Sequence, residues 1–413
     1  MKTVRNSHKI WQTRVLRWSV LGICWTSYII YRSCVIGQIK YDKEKGKLVI
    51  QPRNIWTKRI VLCLKIIVLY LNYCGIPYIM IAIIPLLPRE IFKAAFSSPK
   101  YFEILMGMVI IQLTMFNTIR LCYWMSSLSW NRSFVGLAND VIHLITLMEV
   151  NVGPLYLERI SLLILHFLQL GLTLVQVVGY SQMQLHLCSL YNLLLELFFN
   201  MFVVYQLLIL SWMAAFCRFL KIYLQEPTIG QRLKVLRLFR LYARISNVHQ
   251  NIQLMWLPVI NMLFSDILML VSHWSFIIKS IILNRLEDDL NSKYWKAAFG
   301  AQASLLRILF IGLCNDQLAL LQSFIRLQLL AIDLCFSKLD QLDLNFVWEA
   351  KILQTCFDLQ SRAQPIKNRI MSIYQECGCP FVLNFFFCAM INAFCCAQYD
   401  IFFSVDSVIS PML

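Results

Sequence analysis

Seven long apolar segments, set apart by stretches where Lys, Arg and the acidic residues collect, make up the pattern of this chain. They cover residues 60–87, 102–128, 160–180, 188–216, 254–283, 297–330 and 377–403. Each reaches the roughly 20 residues that a helix needs to cross the hydrocarbon core of a bilayer. Residues 218–253 place Arg232, Lys234, Arg237, Arg240 and Arg244 at three- to four-residue spacing, which predicts an amphipathic helix outside the membrane. Residues 331–376 are a mixed polar stretch and predict further helix on that same side. Residues 130–158 mix Val135, Leu137, Val141, Leu144 and Leu147 with polar side chains, a helical pattern too mixed to span. The leading apolar run, 18–37, has Arg5, Lys9, Arg14 and Arg17 before it, Lys40, Lys43, Lys45 and Lys47 after it, and Arg32 inside. Cations on both flanks predict an interfacial or re-entrant helix there instead of a span. The fold class expected is therefore an all-α membrane protein of seven transmembrane helices preceded by one such helix.

Orientation follows from the loops. With the N-terminus cytoplasmic, the cytoplasmic segments hold twenty-six Lys and Arg and the opposite loops hold six. That asymmetry predicts an inside N-terminus and, after seven spans, an extracellular C-terminus, the reverse of a G-protein-coupled receptor. The domains expected are a cytoplasmic N-terminal region (1–59), a six-helix bundle with its loop helices (60–330), cytoplasmic anchor helices (331–376), and a last helix with a short extracellular tail (377–413). The sequon Asn131-Arg132-Ser133 falls on the cytoplasmic side in this scheme and is not expected to carry glycan.

Composition agrees with the pattern. Hydrophobic residues make up 59% of the chain and charged residues only 15%, far from a soluble domain. The net charge of +16 comes without zinc-finger spacing, a basic zipper or an RNA-binding motif, so no nucleic-acid partner is expected. Fifteen cysteines without CxxC pairs predict buried thiols, with no metal and no cofactor. HExxH, GxSxG and phosphate-binding glycine motifs are absent, and His166, His186 and His273 are scattered, so an enzyme is not expected.

The last apolar segment is unusual in its polar content. Asn384, Cys388, Ile391, Cys395, Gln398 and Phe402 recur at i, i+4, i+7, i+11, i+14 and i+18, one stripe on an otherwise apolar helix. Such a stripe suits a pore wall; it equally suits a helix whose amides hydrogen-bond their neighbours within one bundle. The run Ile391-Asn392-Ala393-Phe394-Cys395-Cys396-Ala397-Gln398-Tyr399 resembles the signature in the last transmembrane helix of insect gustatory receptors, which reads Thr-Tyr, five mostly apolar residues, then Gln-Phe. Gln398 keeps the glutamine and Tyr399 the aromatic, whereas Ile391 and Asn392 depart from Thr-Tyr. The seven spans and the cytoplasmic loop helices resemble that family over nearly the full length.

The resemblance implies a homo- or hetero-tetrameric ligand-gated cation channel at the plasma membrane of gustatory neurons, opened by a small-molecule tastant. Its last helix would line the pore, with Gln398 at the narrow part and Ile391, Phe394, Cys395 and Phe402 around it. Asp400 would sit at the outer mouth, where four carboxylates concentrate permeant cations. The competing class is a secondary transporter, which should show an internal repeat; none is found.

Charges inside the spans should pair by depth. Glu196 and Arg307 both lie about two turns from the outer end, and Arg120 and Asp266 both lie near five turns deep. A ligand pocket is expected in the outer half of spans two to six, where Gln112, Gln169, Gln176, Tyr180, Tyr191, Glu196, His273, Trp274 and Gln302 supply polar and aromatic groups.

Overall fold

The computed structural model describes residues 39–50, 54–70, 127–152, 160–182, 186–225, 239–257, 299–336, 344–363, 369–370, 375–376 and 379–409, with isolated positions elsewhere. Most of the expected leading helix and of spans one, two and five, the Arg120–Asp266 pair, Gln112 and His273 lie outside these residues. In chain order the elements are β1 (Ile39–Asp42), β2 (Lys47–Ile50), α1 (Ile55–Tyr70), α2 (Leu128–Asn151), α3 (Ile160–Gln182) and α4 (His186–Gln225). There follow α5 (239–257), α6 (Gln302–Phe336), α7 (Leu344–Ala363), β3 (Arg369–Ile370), β4 (Gln375–Glu376) and α8 (Cys379–Ile409).

Four helices among the described residues are long and apolar enough to cross a membrane: Ile160–Gln182, Cys188–Lys221, Gln302–Gln328 and Ser129–Asn151. The first three fall on expected spans. The fourth meets the same measure of length and mean hydropathy, although 130–158 is expected to be too mixed to cross. Arg132 and Glu149 sit near its ends and Asp140 stands between them, so the helix stays apolar on average. It begins at Ser127, whose hydroxyl accepts the Trp130 amide at 3.1 Å, an N-cap.

α3, α4 and α6 pack mutually and form the centre of the molecule. α4 is the hub, with Tyr191, Phe198, Phe199, Trp212 and Phe216 fully enclosed. Side-chain pairs give the helix directions. Thr173 meets Arg307 while His166 stacks near Phe310, so α3 and α6 are antiparallel. Glu196 meets Arg307, Phe199 meets Phe310 and Cys217 reaches the Leu321 carbonyl, so α4 and α6 are parallel. Phe216 packs on Tyr242, Tyr205 bonds His249 at 2.9 Å and Phe198 packs on Trp256, so α5 runs back along α4. The helix directions therefore alternate from α3 through α6. On α3, Ile164, Phe167, Leu168, Leu174 and Val178 are roughly half exposed, an apolar outer face suited to lipid.

At 40 residues α4 is about 60 Å long, twice the hydrocarbon core, so it projects well beyond a bilayer. Its last described residue is Gln225, two residues before Pro227 in the sequence. Its projecting end meets Phe239 and Tyr242 of α5 and Phe357 of α7 in an aromatic cluster. Burial there, with Cys217 beside it, pushes the Tyr242 hydroxyl up to about 12. Arg326 of α6 pairs with Asp358 of α7 at 3.6 Å and Gln322 donates to the Ile366 carbonyl, which fastens α7 to α6.

Two features differ from the helical expectation. Residues 331–376 are not helical throughout: α7 ends at Ala363, two residues before Pro365, and a two-residue antiparallel ladder follows. The basic stretch 39–50 is a β-hairpin, turning through Asp42 and Gly46, whose φ of 59° suits glycine. The Asp42 carboxylate accepts the amides of Glu44 and Lys45 inside that turn. Asn139 clasps the hairpin to α2: it accepts the Leu48 amide at 2.8 Å and donates to the Leu48 carbonyl at 3.0 Å, while Ile39 of β1 is buried in the core. Asn139→Ala should free both groups. At about 1 kcal/mol for each bond, amide exchange at Leu48 should speed up by roughly tenfold or more, and unchanged exchange would show that the clasp contributes nothing.

Candidate functional site

α3 is apolar on its outside, yet His166, Gln169, Thr173, Gln176 and Tyr180 recur along it at i, i+3, i+7, i+10 and i+14, and all five are buried. This stripe turns inward onto α4 and α6. At its middle lies the ion pair expected from depth: Arg307 of α6 donates through Nη2 to Glu196 Oε2 of α4 at 2.8 Å, and both side chains are buried. A single oxygen gathers most of the donors. Glu196 Oε2 also accepts from Gln169 Nε2 at 2.6 Å and from Arg307 Nε at 3.3 Å. The Thr173 hydroxyl lies 3.1 Å from that oxygen and 3.1 Å from the Gln169 carbonyl, with one proton for the two. Arg307 completes the ring by donating to Thr173 at 2.9 Å and to Ser304 at 3.4 Å.

The other half of the cluster is left wanting donors. Among the described residues, the buried oxygens Glu196 Oε1, Gln169 Oε1, Gln176 Oε1 and Asn200 Oδ1 have no hydrogen-bond partner. His166 sits in the same neighbourhood, facing Gln169 and Asn200 within hydrogen-bonding reach, and its ring supplies one N–H for these several oxygens. A cluster that is neutral overall but rich in acceptors suits water or a small molecule bearing N–H and O–H groups.

Of the expected pocket residues, the structure brings Gln169 and Glu196 into contact, with Gln176 and Tyr180 next along the stripe; Gln176 Nε2 lies 3.4 Å from the Tyr180 hydroxyl. Tyr191 is enclosed in the core and Gln302, at the start of α6, is half-buried. Trp274 is buried and packs edge-on against Phe386 of α8 at 5.3 Å, so it stands where span five meets the last helix. Thr173, Ser304, Asn200 and His166 were missed as site residues. The period of the polar positions on α3 would have found His166 and Thr173, whereas Ser304 and Asn200 carry no such signal.

α8 presents two opposite faces. Val382, Ala389, Ala393 and Ala397 are buried, with Phe386 partly so, a small-residue face on the side of α6. At 3.6 residues per turn, the stripe of Asn384, Cys388, Ile391, Cys395 and Gln398 lies roughly opposite, and every one of these residues is exposed. Phe394 is 46% exposed and borders the same face. Asp400 and Phe402 continue the helix beyond the side chains that are described.

No protein-family model matches the chain. Over 407 residues, covering 93% of this chain and 90% of the other, it is 22% identical to Gustatory receptor-like 43a of Drosophila melanogaster. That distant likeness runs nearly the whole length of both chains, and the apolar helices suit a multi-pass membrane protein.

Proposed function

We propose that this chain is a subunit of a tetrameric, ligand-gated, non-selective cation channel that opens on binding a small-molecule tastant. The observation that supports the reading is the exposed polar stripe of α8, opposite the alanine face that packs. Amide side chains cannot face lipid without a cost of several kcal/mol, so in a membrane this face needs water or another subunit. Four such faces around an axis enclose a wet path, with Gln398 as a ring of amides and Ile391, Phe394 and Phe402 as apolar rings that close it by dewetting. Asp400, one helical step outward, would gather cations at the mouth.

In this reading the N-terminus is cytoplasmic and α2 lies on that side, supported by the lysine-rich hairpin that docks on Asn139 and could not be carried into hydrocarbon. The tastant occupies the acceptor-rich cluster between α3, α4 and α6, where its donors would satisfy the oxygens of Glu196, Gln169 and Asn200. Trp274, in contact with Phe386, lies between that bundle and the pore helix.

Two native thiols test the pore directly. Cys388 and Cys395 are exposed on the stripe, whereas Cys63 lies on the apolar helix α1. In expressed channels held open by ligand, a charged, membrane-impermeant thiosulfonate should modify Cys395 and reduce current. Gln398→Ala should shift ionic selectivity or basal current at unchanged surface expression, and Asp400→Lys should lower cation permeability. Currents indifferent to the reagent and to both substitutions would remove α8 from the pore.

A further inference from the structure

We propose that the β1–β2 hairpin and the first turn of α1 together form a docking surface for anionic lipid headgroups, in the leaflet from which α1 enters the membrane. This goes beyond the channel reading and does not depend on it.

Three sets of residues carry the inference. Lys40, Lys43, Lys45 and Lys47 are all exposed on the hairpin. Of its two acids, Asp42 is committed to the turn, accepting two backbone amides and lying 3.9 Å from Lys45, which leaves Glu44 against the remaining lysines. Only residues 51–53 separate the hairpin from Asn54, which opens α1, and there Lys58 and Arg59 are exposed beside Trp56, 70% exposed, with the Arg59 guanidinium 5.6 Å above its ring. A tryptophan with a cation at the end of an apolar helix is the composition of a membrane interface. Past that turn, Ile60, Leu62, Ile66 and Ile67 are each more than half exposed, an apolar surface that the rest of the chain leaves open. The lysines therefore stand a few residues from a helix that hydrocarbon must cover. Clustered cations in that position are attracted to anionic headgroups within a Debye length of the surface. A soluble acidic partner would have to compete for the same narrow zone. The Asn139 clasp holds the hairpin to α2, so headgroup binding would reach the folded bundle through that helix.

The test uses the full-length protein in lipid nanodiscs of phosphatidylcholine alone, or with about a third phosphatidylserine, a charge density that sets up the surface potential of an anionic leaflet. Lysines are acetylated briefly and labelling is read by peptide mass spectrometry. Lys40, Lys43, Lys45, Lys47 and Lys58 should label severalfold more slowly in the anionic discs, and the protection should vanish at about 0.5 M salt. Lys221 is the internal control: it is exposed, and 35 residues along α4 place it about 50 Å from the start of that helix, beyond the reach of either leaflet's headgroups. Inorganic phosphate added to neutral discs should give no protection. Equal labelling of the hairpin in the two discs would overturn the proposal, as would protection by free phosphate equal to that by lipid.

Discussion

Arg307→Ala should destabilise the folded protein by about 3–5 kcal/mol, because removing one member of a buried ion pair leaves the other as an uncompensated charge. Among the described residues, Glu196 would keep Gln169 and Thr173 as donors, in a core shared by three helices that cannot admit bulk water. Arg307 also donates to Thr173 and Ser304, so the loss extends to α3 and to the preceding turn of α6. The thiol of Cys314, two turns further along α6 and fully buried, reports the event. Its reactivity on heating in detergent should rise several degrees earlier in the variant than in the parent. Glu196→Gln alone should also destabilise, by leaving the guanidinium without its carboxylate. The double variant Glu196→Gln, Arg307→Gln restores charge balance at nearly constant volume and should recover much of the loss. A double variant no more stable than Arg307→Ala would mean that packing around the arginine, and not the ion pair, is what the single substitution removes.

This pair was legible in the sequence because both residues sit about two turns from the outer ends of helices that run the same way, and a charge at that depth needs a partner. The apolar runs of α3, α4 and α6 were legible for the same kind of reason: length and hydropathy register in one dimension. What one dimension does not register is where a helix goes after leaving the membrane. α4 continues unbroken to Gln225, although the change from apolar to basic composition near Arg218 reads like a boundary. The hairpin at 39–50 was hidden by its charge, since a two-stranded ribbon with one strand edge held by a distant asparagine has no local apolar signal. Helix α2 reads both ways: its polar residues count against a span one by one, while their number over the whole helix is small. The two faces of α8 were half legible: spacing identified the stripe, but only the burial of the alanines at 389, 393 and 397 says which face packs within the chain.

Gly300→Ala should separate α3 from α6. A Cβ built at Gly300 would fall on the backbone nitrogen and Cα of Gln176, closer than real Cβ atoms approach any heavy atom. Two helices in a membrane gain little from excluding water from each other and depend on close packing instead, so glycine at a contact of this kind permits the approach itself. Overpacking of a rigid contact typically costs about 1–3 kcal/mol, and here no side-chain rotation relieves it because the obstacle is main chain. The helices must shift, and they must do so two turns from Arg307 and one turn from Thr173, the residues on which the buried network depends. The variant should therefore lower the unfolding temperature read at Cys314 and, in the assembled receptor, weaken the ligand response, while Gly136→Ala, with open space around its Cβ, should do neither. The diagnostic step is the pairing with Gln176→Ala. If the obstacle were the glutamine side chain, truncating it would rescue Gly300→Ala; because the overlap is with the backbone of residue 176, the double variant should be no more stable than Gly300→Ala alone. Rescue by Gln176→Ala would show that α3 and α6 approach less closely at this point than the structure places them.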